Sequence, residues 1–129
     1  MIEDNDNRAY TARHVWVLPA ETGRKAYVGM TDFLTEELQA IVGVDLPMVG
    51  DELDIDTFCI HLHIGSRIHH LRSPLTGRVL EINKDVLDNP SLLHLNPYKH
   101  WLYRMEYDDP GELDLLMSAS QYQRHLDML

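Results

Sequence analysis

The chain has 129 residues, 44% of them apolar, which is enough for one domain with a core and too little for two ordinary domains. Its formal net charge is −10, from 21 acidic and 11 basic side chains. Nucleic acids and anionic membrane surfaces are bound by clustered Lys and Arg, so this charge argues against both. It favours positively charged protein partners; the alternative is that the surplus acid only keeps the protein soluble.

The cysteine content and the amino end predict the compartment. The single cysteine, Cys59, cannot form an internal disulfide and lies in an apolar run, which fits a reducing environment. Residues 1–7 are acidic and polar, unlike a signal or transit peptide, and no apolar stretch is long enough to span a bilayer. We expect a bacterial cytoplasmic protein in which residues 1–9 are a flexible tail and residues 10–129 form a single domain.

The first third of the chain predicts a hairpin followed by a helix. Residues 14–18 and 25–29 have the composition of two strands joined by a turn. Thr31 is a plausible N-cap for a short helix over residues 32–40, and residues 41–46 predict a return to β-structure that ends at a proline.

The middle of the chain predicts a second hairpin. Residues 58–72 contain two strands around a tight turn at Gly65 and Ser66, since a glycine in the first position suits a two-residue turn. Residues 78–83 alternate with period two and predict another strand. We expect a loop over residues 88–98 and a further strand over residues 101–107.

The carboxyl end predicts helices. Asp109, Pro110 and Glu112 have the order of a capping residue, a first-turn proline and an early acid, which is typical of a helix start. Ser118 and Gln121 form a capping-box pattern for a last helix. The fold class is therefore mostly β with small α: a flattened β-barrel or sandwich with a short internal helix and C-terminal helices.

Four blocks of the sequence, taken together, resemble one known family, the H-protein of the glycine cleavage system. The blocks are residues 10–17 (YTARHVWV), residues 28–52, residues 73–79 (SPLTGRV) and the Asn, Pro, Tyr and Trp positions within residues 83–102. The similarity extends over about residues 10–126 with nearly constant spacing. One departure is Val15, which stands where the family usually has Glu.

The resemblance implies a lipoyl-domain-like barrel-sandwich hybrid that carries a group between enzymes and catalyses nothing itself. Working members bear lipoate on a lysine at the tip of a hairpin, and the arm visits a decarboxylase, a transferase and a dehydrogenase. A lysine suits this task because it presents an amine on a long flexible stem. The implied partners are therefore glycine cleavage or other lipoate-linked enzymes.

The family's tip motif is absent from this chain. An ungapped comparison places Ser66 at the position of the lipoylated lysine. A serine hydroxyl without a neighbouring base is a poor nucleophile, and its stem is too short to swing. The lysines, Lys25, Lys84 and Lys99, all lie outside the hairpin. We therefore predict that lipoate is not attached and that the protein has no cofactor.

The predicted hairpin also carries a histidine cluster. With a two-residue turn, His61 faces His70, and alternation along the strand places His63 on the same face. Cross-strand neighbours are close enough for two imidazoles to reach one metal ion, so these three residues are candidate ligands for zinc, copper or nickel. The alternative is that they are partly exposed strand residues that supply polarity and weak positive charge.

Three functions are compatible with these features. The one we favour is a non-catalytic, partner-binding or regulatory relative of the carrier. The second is a working group carrier in glycine cleavage or sulfur metabolism that uses another attachment site. The third is a metal-binding module centred on the histidine cluster.

Overall fold

The computed structural model describes residues 7–129, so the first six residues of the expected tail lie outside the described residues. Within this range, nine strands and four α-helices follow one another as β1 (Ala9–Tyr10), β2 (Val15–Pro19), β3 (Lys25–Met30), α1 (Asp32–Glu37), β4 (Gly43–Asp45), β5 (Glu52–Leu53), β6 (Phe58–Ile64), β7 (Arg67–Arg72), β8 (Gly77–Ile82), α2 (Lys84–Asp88), α3 (Leu92–Leu95), β9 (Tyr103–Tyr107) and α4 (Ala119–Asp127). A 3₁₀-helix, Pro110–Leu115, lies between β9 and α4.

The strands form two antiparallel sheets. The larger has the order β1-β2-β3-β9-β8-β5 and the smaller the order β4-β6-β7. Both sheets contribute side chains to one buried apolar cluster, including Val28 and Met105 from the larger and Leu62 from the smaller. The sheets do not close on each other, so of the two expected forms, barrel and sandwich, the flattened sandwich is the one observed.

A second, smaller cluster covers the opposite side of the larger sheet. Trp16 is 1% exposed there, and the rings of Tyr10 and Tyr122 stack with centroids 4.6 Å apart. Alternation along β2 sends Val15 and Val17 into the main core and Trp16 into this cluster. Helix α4 is thereby held against the sheet, and its predicted capping box between Ser118 and Gln121 is present.

Several boundaries differ from the sequence predictions. Helix α1 ends at Glu37 rather than residue 40, because Leu38 is already extended. The expected loop over residues 88–98 is wrong in part, since it contains the end of α2 and all of α3. The predicted helix start is present, with Asp109 as the N-cap, and the helix that it opens, Pro110–Leu115, is of the 3₁₀ type. Ala9, assigned to the expected tail, pairs with Val17 in the larger sheet.

Candidate functional site

The tip of the β6–β7 hairpin has the predicted geometry. Ile64 pairs with Arg67, so Gly65 and Ser66 form a two-residue turn, and the register continues through the pair His61 and His70. Gly65 has φ +60°, as the first position of a type II′ turn requires. Ser66 follows at the exposed apex.

None of the three lysines lies on this hairpin. Lys25 begins β3, where it lines a cavity of about 150 Å³. Lys84 begins α2 and lines a cavity of about 540 Å³. Lys99 lies between α3 and β9. The apex therefore presents a hydroxyl group and no amine.

The three candidate metal ligands lie on the outer face of the hairpin with a carboxylate beside them. The Nε2 atom of His63 is 2.7 Å from Oδ2 of Asp45, and Nδ1 of His61 is 3.8 Å from the same oxygen. The rings of His61 and His70 meet edge to face with centroids 4.8 Å apart. Within residues 7–129, no three His, Cys, Asp or Glu side chains come together as a metal-binding group. Metal binding at the cluster stays a prediction.

Asp45 is the member of this face that sequence reasoning missed. It lies on β4, 18 positions before His63 in the chain, and reaches the histidines because β4 pairs with β6 so that Asp45 is opposite His61. The strand prediction for residues 41–46 gave no pairing partner. The closeness of Asp45 to the two histidines therefore could not be predicted from the local sequence.

A second polar group links the loop before β2 to the carboxyl-terminal helix. The Tyr122 hydroxyl is 2.7 Å from Nδ1 of His14 and 2.9 Å from Oγ1 of Thr31, which is fully buried. The pKa of His14 is lowered, first by burial and then by the nearby His125. A neutral His14 can accept the phenolic proton at Nδ1 while Tyr122 accepts one from Thr31. This group joins α4 to the sandwich.

Comparison with known proteins agrees with this architecture. The model of the family described as "Glycine cleavage H-protein" matches residues 8–128. The chain belongs to the glycine cleavage H-protein family. Relatives named as glycine cleavage system H proteins include one from Thermoanaerobacter sp. (strain X514), 36% identical over 118 residues, with 92% of each chain covered. Another, from Bacillus subtilis (strain 168), is 36% identical over 115 residues and covers 88% of this chain and 89% of its own.

A solved structure supports the same assignment. The crystal structure of a glycine cleavage system H protein from Mycobacterium marinum superposes with a TM-score of 0.84 at 29% identity, covering 96% of this chain and 98% of its own. Membership of the H-protein family confirms the expected mostly-β carrier fold, and it confirms that the chain is not an enzyme in its own right. No helix within the described range 7–129 is long and apolar enough to cross a membrane.

Proposed function

We propose that this chain is an H-protein family member that carries no lipoate and acts by binding protein partners of the carrier. The observation that supports it is Ser66 at the apex of the hairpin turn, where the family's motif has a lysine. Within residues 58–72 there is no lysine at all. With serine at this position, the chain lacks the amine to which the family attaches lipoate.

The surroundings of Ser66 support loss of the arm rather than replacement by a serine ester. Gly65, Ser66, Arg67 and Ile68 are all exposed, so the apex is open to water. A hydroxyl needs an adjacent base to attack an activated acyl group, and His63, the nearest upstream histidine, lies 2.7 Å from Asp45. No hydrogen bond joins the Ser66 hydroxyl to this imidazole or to another base within residues 7–129.

Partner binding is the function that remains when the arm is lost but the fold is kept. The chain retains the family's length and sandwich, and its acidic charge favours partners with basic surfaces. The partners we propose are glycine cleavage or other lipoate-linked enzymes. The chain would bind to them without carrying a lipoyl group. We also propose a cytoplasmic location, consistent with the unpaired Cys59.

Intact-mass spectrometry tests the loss of lipoylation. The wild-type chain and the S66K variant are co-expressed with a lipoate ligase, and R67K serves as a matched control with a lysine one position further along. We expect no mass increase for wild type and a lipoyl adduct for S66K mapped to that position, with little or none for R67K. An adduct on wild type at Lys25, Lys84 or Lys99 would contradict the proposal and support a carrier with another attachment site.

Partner binding needs its own measurement. Biolayer interferometry of the unmodified chain against each purified glycine cleavage enzyme of the same organism should give saturable binding to at least one of them. A lipoylated carrier from that organism should compete for the same surface. If no enzyme binds, or if the carrier does not compete, the partner-binding role is wrong.

A further inference from the structure

A cavity of about 300 Å³ lies between the loop that follows β1 and the inner part of the β6–β7 hairpin. Six of the residues that line it are basic or aromatic: Arg13, His14, Phe58, His69, His70 and Arg72. Cavities of this volume are at the lower end of the range that binds small molecules. The apex residues Gly65 and Ser66 do not line this cavity, so binding there is a separate property from lipoylation.

The charge of this cavity is opposite to that of the protein. The chain has a net charge of −10, yet two arginines and three histidines line this one space and no carboxylate does. A neighbouring cavity of about 240 Å³ shares Arg13 and Arg72 and adds one acid, Asp56. Neither arginine forms an ion pair within 4.0 Å among residues 7–129. Two cations therefore line the same space with no carboxylate within 4.0 Å of either among residues 7–129.

The guanidinium of Arg72 is already held in place. Its Cζ atom lies 4.9 Å from the centre of the Phe58 ring, and the two residues are paired across β6 and β7. Its Nε atom is buried and has no hydrogen-bond partner within the described part of the chain. A buried donor without a partner is costly, and an incoming acceptor would remove that cost.

We propose that this cavity binds a small oxyanion, the carboxylate or phosphate group of a small molecule, between Arg13 and Arg72. A guanidinium offers planar, paired donors that match both groups, and the histidines add further donors around the rim. The exposed ring of Phe58 offers an apolar wall for the remainder of such a ligand. The site is independent of the function proposed above, since it involves neither Ser66 nor a partner enzyme.

Nuclear magnetic resonance titration of the full chain tests this site. Inorganic phosphate and succinate are the two probes, added at constant ionic strength with sodium chloride as the reference, and their relative affinities decide between phosphate and carboxylate. We expect saturable shifts confined to the amides of residues 11–14 and 69–73 and of Phe58, which also lines the cavity. Absence of saturation for both probes, or shifts spread over the surface, would overturn the proposal.

Substitutions then assign the binding to the two arginines. R13M and R72M should each weaken the preferred probe about 10-fold or more, as expected for loss of a charge-assisted hydrogen bond. R78M is the matched control, because Arg78 lies on β8 in an exposed pair with Glu52 and should leave affinity unchanged. Because Arg72 is partly buried, R13M on the exposed loop decides the outcome if R72M does not fold. Equal affinities for R13M, R78M and wild type would refute the assignment.

Discussion

Removal of the Tyr122 hydroxyl should destabilise the protein without disturbing its packing. In Y122F the ring still stacks on Tyr10, but the contacts to His14 and Thr31 are lost. Burial raises the pKa of Tyr122 to about 12, so at neutral pH the phenol keeps the proton that it shares. Each net hydrogen bond contributes roughly 0.5–1.5 kcal/mol, so we expect a loss of about 2 kcal/mol in the free energy of unfolding.

Urea denaturation followed by circular dichroism measures this loss. With a typical urea slope for a small domain, about 2 kcal/mol corresponds to a midpoint lower by roughly 1 M. Y107F is the matched control, since Tyr107 is 5% exposed but its hydroxyl makes no hydrogen bond among residues 7–129. If the two variants differ by less than about 0.5 kcal/mol, the Tyr122 hydroxyl does not link α4 to the sandwich, and the reasoning is refuted.

Three further predictions concern pH, backbone contact and metal. The pKa of His14 is lowered in the folded chain, so this side chain binds a proton more readily when the chain is unfolded. Stability should therefore fall as the pH drops below 6.5. In urea midpoints measured from pH 8 to 5, the dependence of stability on pH should be weaker for H14N than for wild type. A Cβ at Gly77 would overlap the carbonyl oxygen of Glu106, so G77A should lose about 1–3 kcal/mol of stability. A Cβ at Gly43 would have its nearest neighbour, Cδ2 of His63, at 3.4 Å, which is an ordinary contact, so G43A should lose little. Equal melting temperatures for the two variants would contradict this. If the histidine cluster binds metal, calorimetric titration with zinc, copper or nickel should show binding that is lost when His61, His63 and His70 are replaced by asparagine. Binding unchanged by these replacements would discard the site.

The hairpin was predictable from sequence because its determinants are local. A glycine at the first turn position sets a two-residue loop, and that loop length sets every pair from Ile64 and Arg67 to His61 and His70. The capping box at Ser118 was equally local and is present. These predictions needed no knowledge of the rest of the chain.

The parts that were missed depend on short elements or on distant pairing. Helices α2 and α3 have five and four residues, too short to show a helical period, and Ser91 makes no side-chain cap. Asp45 reaches the histidines only through the pairing of β4 with β6. Arg13 and Arg72, 59 positions apart, share a cavity because two sheets meet there. No single stretch of sequence contains these arrangements.

Strand β7 is the last strand of the smaller sheet, bonded to β6 on one side alone. Such an edge is a template on which another chain can add a strand and begin aggregation. Arg67 and Arg72 stand at the two ends of β7, with His69 and His70 between them. In an antiparallel pairing of two copies, the arginine at one end of each β7 would come close to the arginine at the other end of its partner, and the like charges would repel. Positive side chains on β7 would therefore oppose edge-to-edge joining of neighbouring molecules.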